Sequence, residues 1–200
     1  FDKIPGKPFA YWVGDSVRNT FERLARLETD SFRLKQGLAT ADDFRFVRLW
    51  WEVPSDGAER SWVPFAKGGA HSPFYADVYL VVKWPAGRTE MSSNLNATGS
   101  VRSNIWMLKD TATDYFFRPG LTWSRRTQGG LSIRAMPANC IFADKGPCMF
   151  SLKNDRNTLL STLAITNSRA FRLLVSLQMC FGSYEVGVLQ RTPMPPLDQE

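Results

Sequence analysis

The stretch from Thr122 to Phe150 constrains the fold more than any other. A break at Gln128-Gly129-Gly130 is followed by short β-rich runs at Leu131–Met136, Cys140–Phe142 and Pro147–Phe150. Short runs of this kind, punctuated by Gly and Pro, read as strands joined by tight connections. The middle of the chain is therefore expected to be sheet. Upstream, Phe44–Val53 is rich in β-formers and is read as a strand ending at Pro54. Ser55-Asp56-Gly57-Ala58-Glu59 is turn chemistry, and Ser61–Phe65 returns as a second strand, so the two runs form an expected antiparallel hairpin. The continuous apolar run Asp77–Trp84 suits a strand buried on both faces and stopped by Pro85.

Helical periodicity appears at the two ends. Asp15 or Ser16 can cap a helix carrying Val17, Phe21, Leu24 and Leu27, with Arg18, Arg23 and Arg26 around the other side. Residues 156–166 and 169–180 read as two helices with Asn167-Ser168 as the cap between them. The longest apolar stretch, Leu159 to Phe181, is interrupted by Asn167, Ser168, Arg169 and Arg172, charges too central for a bilayer span, so no membrane association is expected. Residues 86–100 read as a surface loop and Val101–Lys109 as a short helix. Trp50, Trp51, Trp62 and Trp84, and likewise Leu173, Leu174, Val175 and Leu177, are assigned to core. The expectation is one α+β domain over residues 1–200, with helices at both ends of a single mixed, largely antiparallel sheet.

Catalytic constellations are missing. The one histidine, His71, lies in a Gly-rich loop with no nucleophile elbow, and one His with three scattered Cys cannot complete a common zinc site. There is no P-loop and no GxGxxG; Gly68-Gly69 and Gly129-Gly130 read as turns. No metal, cofactor or catalytic residue is expected in this segment. Cys140, Cys148 and Cys180 form neither a CxxC pattern nor a disulfide framework, so reduced, buried thiols and a cytoplasmic setting are expected. Phe1-Asp2-Lys3-Ile4-Pro5 has neither the charged nor the apolar region of a signal peptide, and the expectation is a segment cut from a longer chain.

What remains is basic and aromatic: 25 Lys and Arg against 19 Asp and Glu, a formal charge of +6, with 7 Trp, 5 Tyr and 14 Phe. Such a surplus favours a polyanionic partner without requiring one. Arg125, Arg126, Thr127 and Gln128 end the run Leu121–Gly130, and supply what duplex DNA asks for: Arg reads guanine bidentately, Gln reads adenine, and hydroxyls hold phosphate. Lys35, Gln36, Thr40 and Arg45 occupy a second polar loop, while Lys67, His71, Lys145 and Tyr184 form a lower tier. A solvated hairpin and a plain connector remain the alternatives for the two loops.

Taken in order, the segments IPGKPFAYWVGD (4–15), QGLATADDFRFVRLWWEV (36–53), WVPFAKGG (62–69), FFRPGLTWSRRTQGGLSIRAMPANCIFADKGPCMF (116–150), LLSTLAITNSRAFRLLVSLQ (159–178) and GSYEVGVLQRTPMPPLDQE (182–200) resemble a known family. That family is the C-terminal target-recognition domain of type IIG restriction-modification enzymes and of the related adenine methylases of phage-exclusion systems. The ending, Leu159–Ser168 and Thr192–Gln199, also resembles the "LLAILNS" helix and "PLPPLxEQ" exit of type I specificity subunits. Ala41 and Asp43 stand where the family more often shows Gly and Asn in a "GLxTGDN" loop, and the "NPPY" motif of the methylase half is missing.

The resemblance implies a sequence-specific duplex-DNA recognition domain. In that picture the methyltransferase domain of the same parent chain would bind S-adenosylmethionine and methylate adenine N6, with or without an endonuclease. A protein-docking module, built on the 159–181 helices, or a type I-like specificity fragment is the alternative.

Overall fold

The computed structural model describes residues 2–29, 31–54, 61–84, 86–108, 111–179 and 182–197. The turn expected at 55–59, Pro85 and Cys180 lie outside these. The strands are β1 (Phe32–Lys35), β2 (Val47–Leu49), β3 (Trp62–Ala66), β4 (Leu80–Lys83), β5 (Gly120–Trp123), β6 (Ile133–Met136), β7 (Ile141–Phe142) and β8 (Cys148–Ser151). The helices are α1 (Asp15–Arg23), α2 (Asp43–Phe46), α3 (Ala86–Ser93), α4 (Ile105–Leu108), α5 (Arg156–Thr166), α6 (Arg169–Ser176) and α7 (Val186–Arg191). The α+β class with helices at both ends is as the sequence implies.

The strands divide between two four-stranded sheets instead of forming one: β1-β8-β5-β6, antiparallel throughout, and β2-β4-β3-β7, in which β3 and β7 run parallel. The chain changes sheet four times, and the last change falls between β7 and β8, which are consecutive in the chain but lie in different sheets. Side chains of β8 alternate accordingly. Met149 joins Leu121, Trp123 and Ile133 against Leu159, Leu163, Phe171 and Val175 of the C-terminal helices. Cys148 and Phe150 join Phe65, Val82, Phe116 and Phe142 between the sheets. A strand buried on both faces reads as a continuous apolar run, which is how Cys148-Met149-Phe150 reads.

The C-terminal helices form where expected, because Asp155 accepts from Thr158 N at 2.7 Å and Ser168 from Phe171 N at 3.2 Å, so each has a side-chain N-cap. Helix α1 stops at Arg23, and Leu27 is buried in the cluster under α5 instead of on the α1 face.

Four local expectations are corrected. The run 44–53 is not one strand: Asp42 accepts a hydrogen bond from Arg45 N at 3.2 Å, capping α2, and only Val47–Leu49 pairs before a 3₁₀ turn at Trp50–Glu52. Local capping outcompetes β-propensity here. The expected hairpin is absent because β4 lies between β2 and β3, antiparallel to both. Residues 86–93 are helix α3, held by Met91, which is buried, and by Gly87 against Lys83. Finally, Trp50 and Trp51 are exposed (60% and 58%), as is Leu173, while Trp84 is core.

Gly37 follows β1 directly beneath Phe142, where a Cβ would stand 2.0 Å from the Phe142 carbonyl oxygen. Gly37→Ala must push the 36–38 segment off Phe142, an overpacking that costs about 1–3 kcal/mol or more. Thermal unfolding should move down by about 5 °C or more; an unchanged midpoint would contradict so close an approach.

Candidate nucleic-acid interface

Loops from five distant parts of the chain meet at one end of the molecule. The turn 143–147 is the hub. Leu38 N donates to Phe142 O at 2.9 Å, Asp144 N to Leu38 O at 3.1 Å and Ala143 N to Ala66 O at 2.9 Å, which brings the 36–43 and 67–71 loops alongside it. Gly68 fits against Lys145 only because it lacks a side chain: its Cβ would be 2.6 Å from the Lys145 carbonyl oxygen, and its φ is +82°. Arg125 N donates to Lys145 O at 3.0 Å, Tyr184 N to Arg125 O at 2.7 Å, and Trp123 Nε1 to Tyr184 O at 2.8 Å, adding the 124–130 and 182–185 segments. Gly129 lies against His71, where a Cβ would be 2.5 Å from the His71 Cβ.

Arg134, which the sequence marks only as basic, is buried and acts as the clamp between loops. Its guanidinium donates to Ala70 O at 3.0 Å and to Ser124 Oγ at 2.6 Å, and Ser124 Oγ in turn donates to Gly69 O at 2.7 Å. Burial draws its pKa below the ordinary guanidinium value.

The twelve sequence-derived candidates separate by partner. Arg126, Gln128, His71, Lys145 and Gln36 are exposed at this end, with Arg126 Nε donating to Ser183 Oγ at 3.0 Å. Thr127 Oγ1 accepts from Gly129 N at 3.2 Å and shapes the loop. Tyr184 is half-buried against the helical core. Arg125 is largely enclosed between two carboxylates, 3.8 Å from Asp144 and 3.4 Å from Glu185, the latter without the alignment of a hydrogen bond.

Lys67 forms an ion pair with Asp43, whose other oxygen accepts from the buried Thr40 hydroxyl at 2.6 Å. Two candidates point elsewhere. Lys35 lies 5.3 Å from the Tyr115 ring, and Arg45 bonds Glu90 at 2.9 Å. The carboxylates Asp43, Asp144 and Glu185 are what sequence reasoning missed. Their signal was the Asp42-Asp43 pair beside Thr40 and the single Asp before Lys145, both too common to single out.

Thr40, Asp43, Lys67, Asp144 and Lys145 line an open cleft of about 360 Å³. Cation and anion alternate along it, and Lys145 makes no ion pair among the described residues. Such a surface can hold phosphate oxygens on its cations and accept from amino groups on its carboxylates. Among the described residues no group of three His, Cys, Asp or Glu could hold a metal, and burial pushes the Cys140 thiol to about 11 and Cys148 well above its ordinary value. Both cysteines are free and buried. No helix among the described residues is long and apolar enough to cross a membrane.

Burial works to raise the Asp43 carboxyl, but hydrogen bonds from Lys67 and Thr40 and the charges of Lys67 and Lys145 outweigh it and hold the pKa below the usual value. A lowered carboxyl contributes stability that is present above its unfolded value of about 3.9 and lost as pH falls through the folded pKa. Asp43→Asn should therefore flatten the decline in melting temperature between about pH 5 and pH 3; an unchanged decline would show that the pair contributes nothing. Ala41, standing where the resembling family shows Gly, has φ +59°, in the left-handed region. The loop thus keeps a glycine-type turn with a strained residue, and Ala41→Gly should raise stability by up to about 1 kcal/mol, read by denaturant unfolding.

No protein-family model matches the chain. It is 29% identical over 212 residues to the adenine-specific methyltransferase PglX of Lacticaseibacillus casei (strain Zhang), and 27% identical over 201 residues to the adenine-specific methyltransferase BrxX of Escherichia coli O9:H4 (strain HS). Each match covers 97% of this chain but only 17% and 15% of the relatives' own lengths. The chain is thus similar, nearly end to end, to about one sixth of two adenine-specific methyltransferases.

Proposed function

We propose that this chain is the duplex-DNA recognition domain of an adenine-N6 DNA methyltransferase of the phage-exclusion kind, a bacterial cytoplasmic protein. The observation that carries the reading is the convergence of five loops on one end, where Gln36, His71, Arg126, Gln128 and Lys145 face solvent. The carboxylates beside them are tied to Lys67 and Arg125. The similarity to two adenine-specific methyltransferases supports DNA as the polyanion, and their names carry methylation, not cleavage.

In this reading Lys145 and Arg126 hold phosphates, while Gln128 and Gln36 read base edges in the major groove. The ion-paired Lys67 and Arg125 set loop shape more than they contact DNA, because a cation already facing a carboxylate gains little from a phosphate. S-adenosylmethionine and the methyl-transfer chemistry belong to the rest of the parent protein. This segment has no Gly-rich loop opening a helix and no NPPY motif, so its own residues do not fit the cofactor. The docking alternative is the weaker reading: Leu159, Leu163, Leu174, Val175 and Leu177 are buried within this chain, and the large apolar side chains left exposed on α5 and α6 are Leu160 and Leu173.

Binding of the 200-residue chain to duplex DNA should weaken steeply with salt, and Lys145→Ala and Arg126→Ala should each reduce the log-log slope by about 0.9. Salt-independent binding, or none, would refute the reading. In the parent protein, Gln128→Ala should relax one position of the methylated motif, with a loss of about 1–3 kcal/mol in discrimination read by methylome sequencing. Cytosine methylation, or an unaltered motif at full rate, would count against it.

A further inference from the structure

Beside the recognition loops lies a second, more apolar cleft of about 560 Å³, lined on the β2 side by Phe44, Val47, Arg48 and Leu49 and closed by Leu80 and Lys67. Its aromatic lining residue, Phe44, is out in water for a local reason, and further rings are exposed on the turn that follows. The Asp42 cap fixes α2 so that Phe46 goes fully into the core and Phe44, two residues earlier, is turned out to 94% exposure. The 3₁₀ turn that follows is closed by Glu52, which accepts from Leu49 N at 2.9 Å, and it presents Trp50 and Trp51 edge to face, ring centres 5.5 Å apart. Trp50 N donates to Tyr79 O at 3.0 Å, which sets a further exposed ring alongside.

The two carboxylates on the cleft are engaged, Asp43 with Lys67 and Glu52 with the Leu49 amide. Arg48 donates to the carbonyls of Phe44 and Val47 and makes no ion pair among the described residues, so its charge is uncompensated at the rim.

Resting on the DNA-recognition reading, we propose that this cleft takes an unpaired nucleobase, stacked on Phe44, with Arg48 drawing in the adjoining phosphate. Isolated rings beside cations are how proteins hold unstacked bases without sequence preference, whereas protein-docking cores are depleted of lysine. A cleft of this size admits a nucleotide. Continuity supplies the path: the Asp43–Lys67 pair forms a wall of both clefts, so DNA lying on the recognition loops passes directly to the aromatic one. Methylating an adenine inside a duplex requires extruding it, which leaves its partner base unpaired. The cleft would hold that base and keep the duplex open.

The test compares affinities of the 200-residue chain for a fully paired duplex and for the same duplex carrying one unpaired thymidine, with tryptophan fluorescence as a second readout. The wild type should prefer the unpaired-base duplex about tenfold, with quenching of fluorescence. Phe44→Ala should remove most of the preference and leave paired-duplex binding intact. The Phe44 side chain is exposed, so circular dichroism should show the fold unchanged. Equal affinity of the wild type for both duplexes would overturn the inference while leaving DNA recognition standing, as would a variant that keeps the preference and marks the face as a protein surface. Failure to bind either duplex would overturn both.

Discussion

The backbone of residues 142–147 passes so close to its neighbours that the rest of the structure is arranged around it. Phe142, Ala143, Asp144 and Lys145 together exchange main-chain hydrogen bonds with Leu38, Ala66 and Arg125, three segments remote in sequence. The Thr122 hydroxyl adds bonds to the carbonyls of Gly146 at 3.2 Å and Pro147 at 2.9 Å. Leu38, Ala66, Thr122, Phe142 and Ala143 are buried, and an unmade bond there would cost the full desolvation of the polar group. Such proximity is open only to residues without a Cβ on the facing side, which is why Gly37 and Gly68 stand where they do. The last of the chain's four crossings between the sheets falls at the same residues, so this turn ties the loop cluster to both layers.

That anchor explains how a modest surplus of charge becomes a surface with a pattern. The carboxylates at the interface hold Lys67 and Arg125 in place, the buried Arg134 clamp holds the 69–75 segment to β5 and β6, and the exposed cations are left at the perimeter. Exposed ion pairs contribute little to stability. Their effect here is geometric: they fix which cations are committed to the protein and which face outward. A recognition surface benefits from that arrangement, since phosphate contacts set position and a small number of polar side chains set sequence.

Legibility in the sequence followed burial. The helices at 156–166 and 169–176 and the strands at 133–136, 141–142 and 148–151 lie near their expected bounds because apolar period and capping residues agree there. The run 44–53 misled because its composition is that of a strand, while a single Asp42 side chain bonded to Arg45 N imposes a helical turn. Trp50 and Trp51 were placed in core on residue type alone, and that turn brings them to the surface. Helix α3 was read as loop because only Met91 and Gly87 mark its buried face, too few positions to establish a period. Of the twelve candidate contacts, ten were brought to one end of the molecule, while Lys35 and Arg45 were drawn to Tyr115 and Glu90.

By itself the sequence determined the α+β class, the helices at both ends and the basic, polar character of the loops. These depend on local period, composition and residue inventory, which survive without knowledge of neighbours. Tertiary structure alone decided that the strands form two sheets, that β4 separates β2 from β3, and that Asp43, Asp144 and Glu185 take up Lys67 and Arg125. It also decided that an aromatic cleft opens beside the loops. Each of these depends on which remote backbone segments can approach within hydrogen-bonding distance, and that is settled at Gly37, Gly68 and the 142–147 turn only when the whole chain is folded.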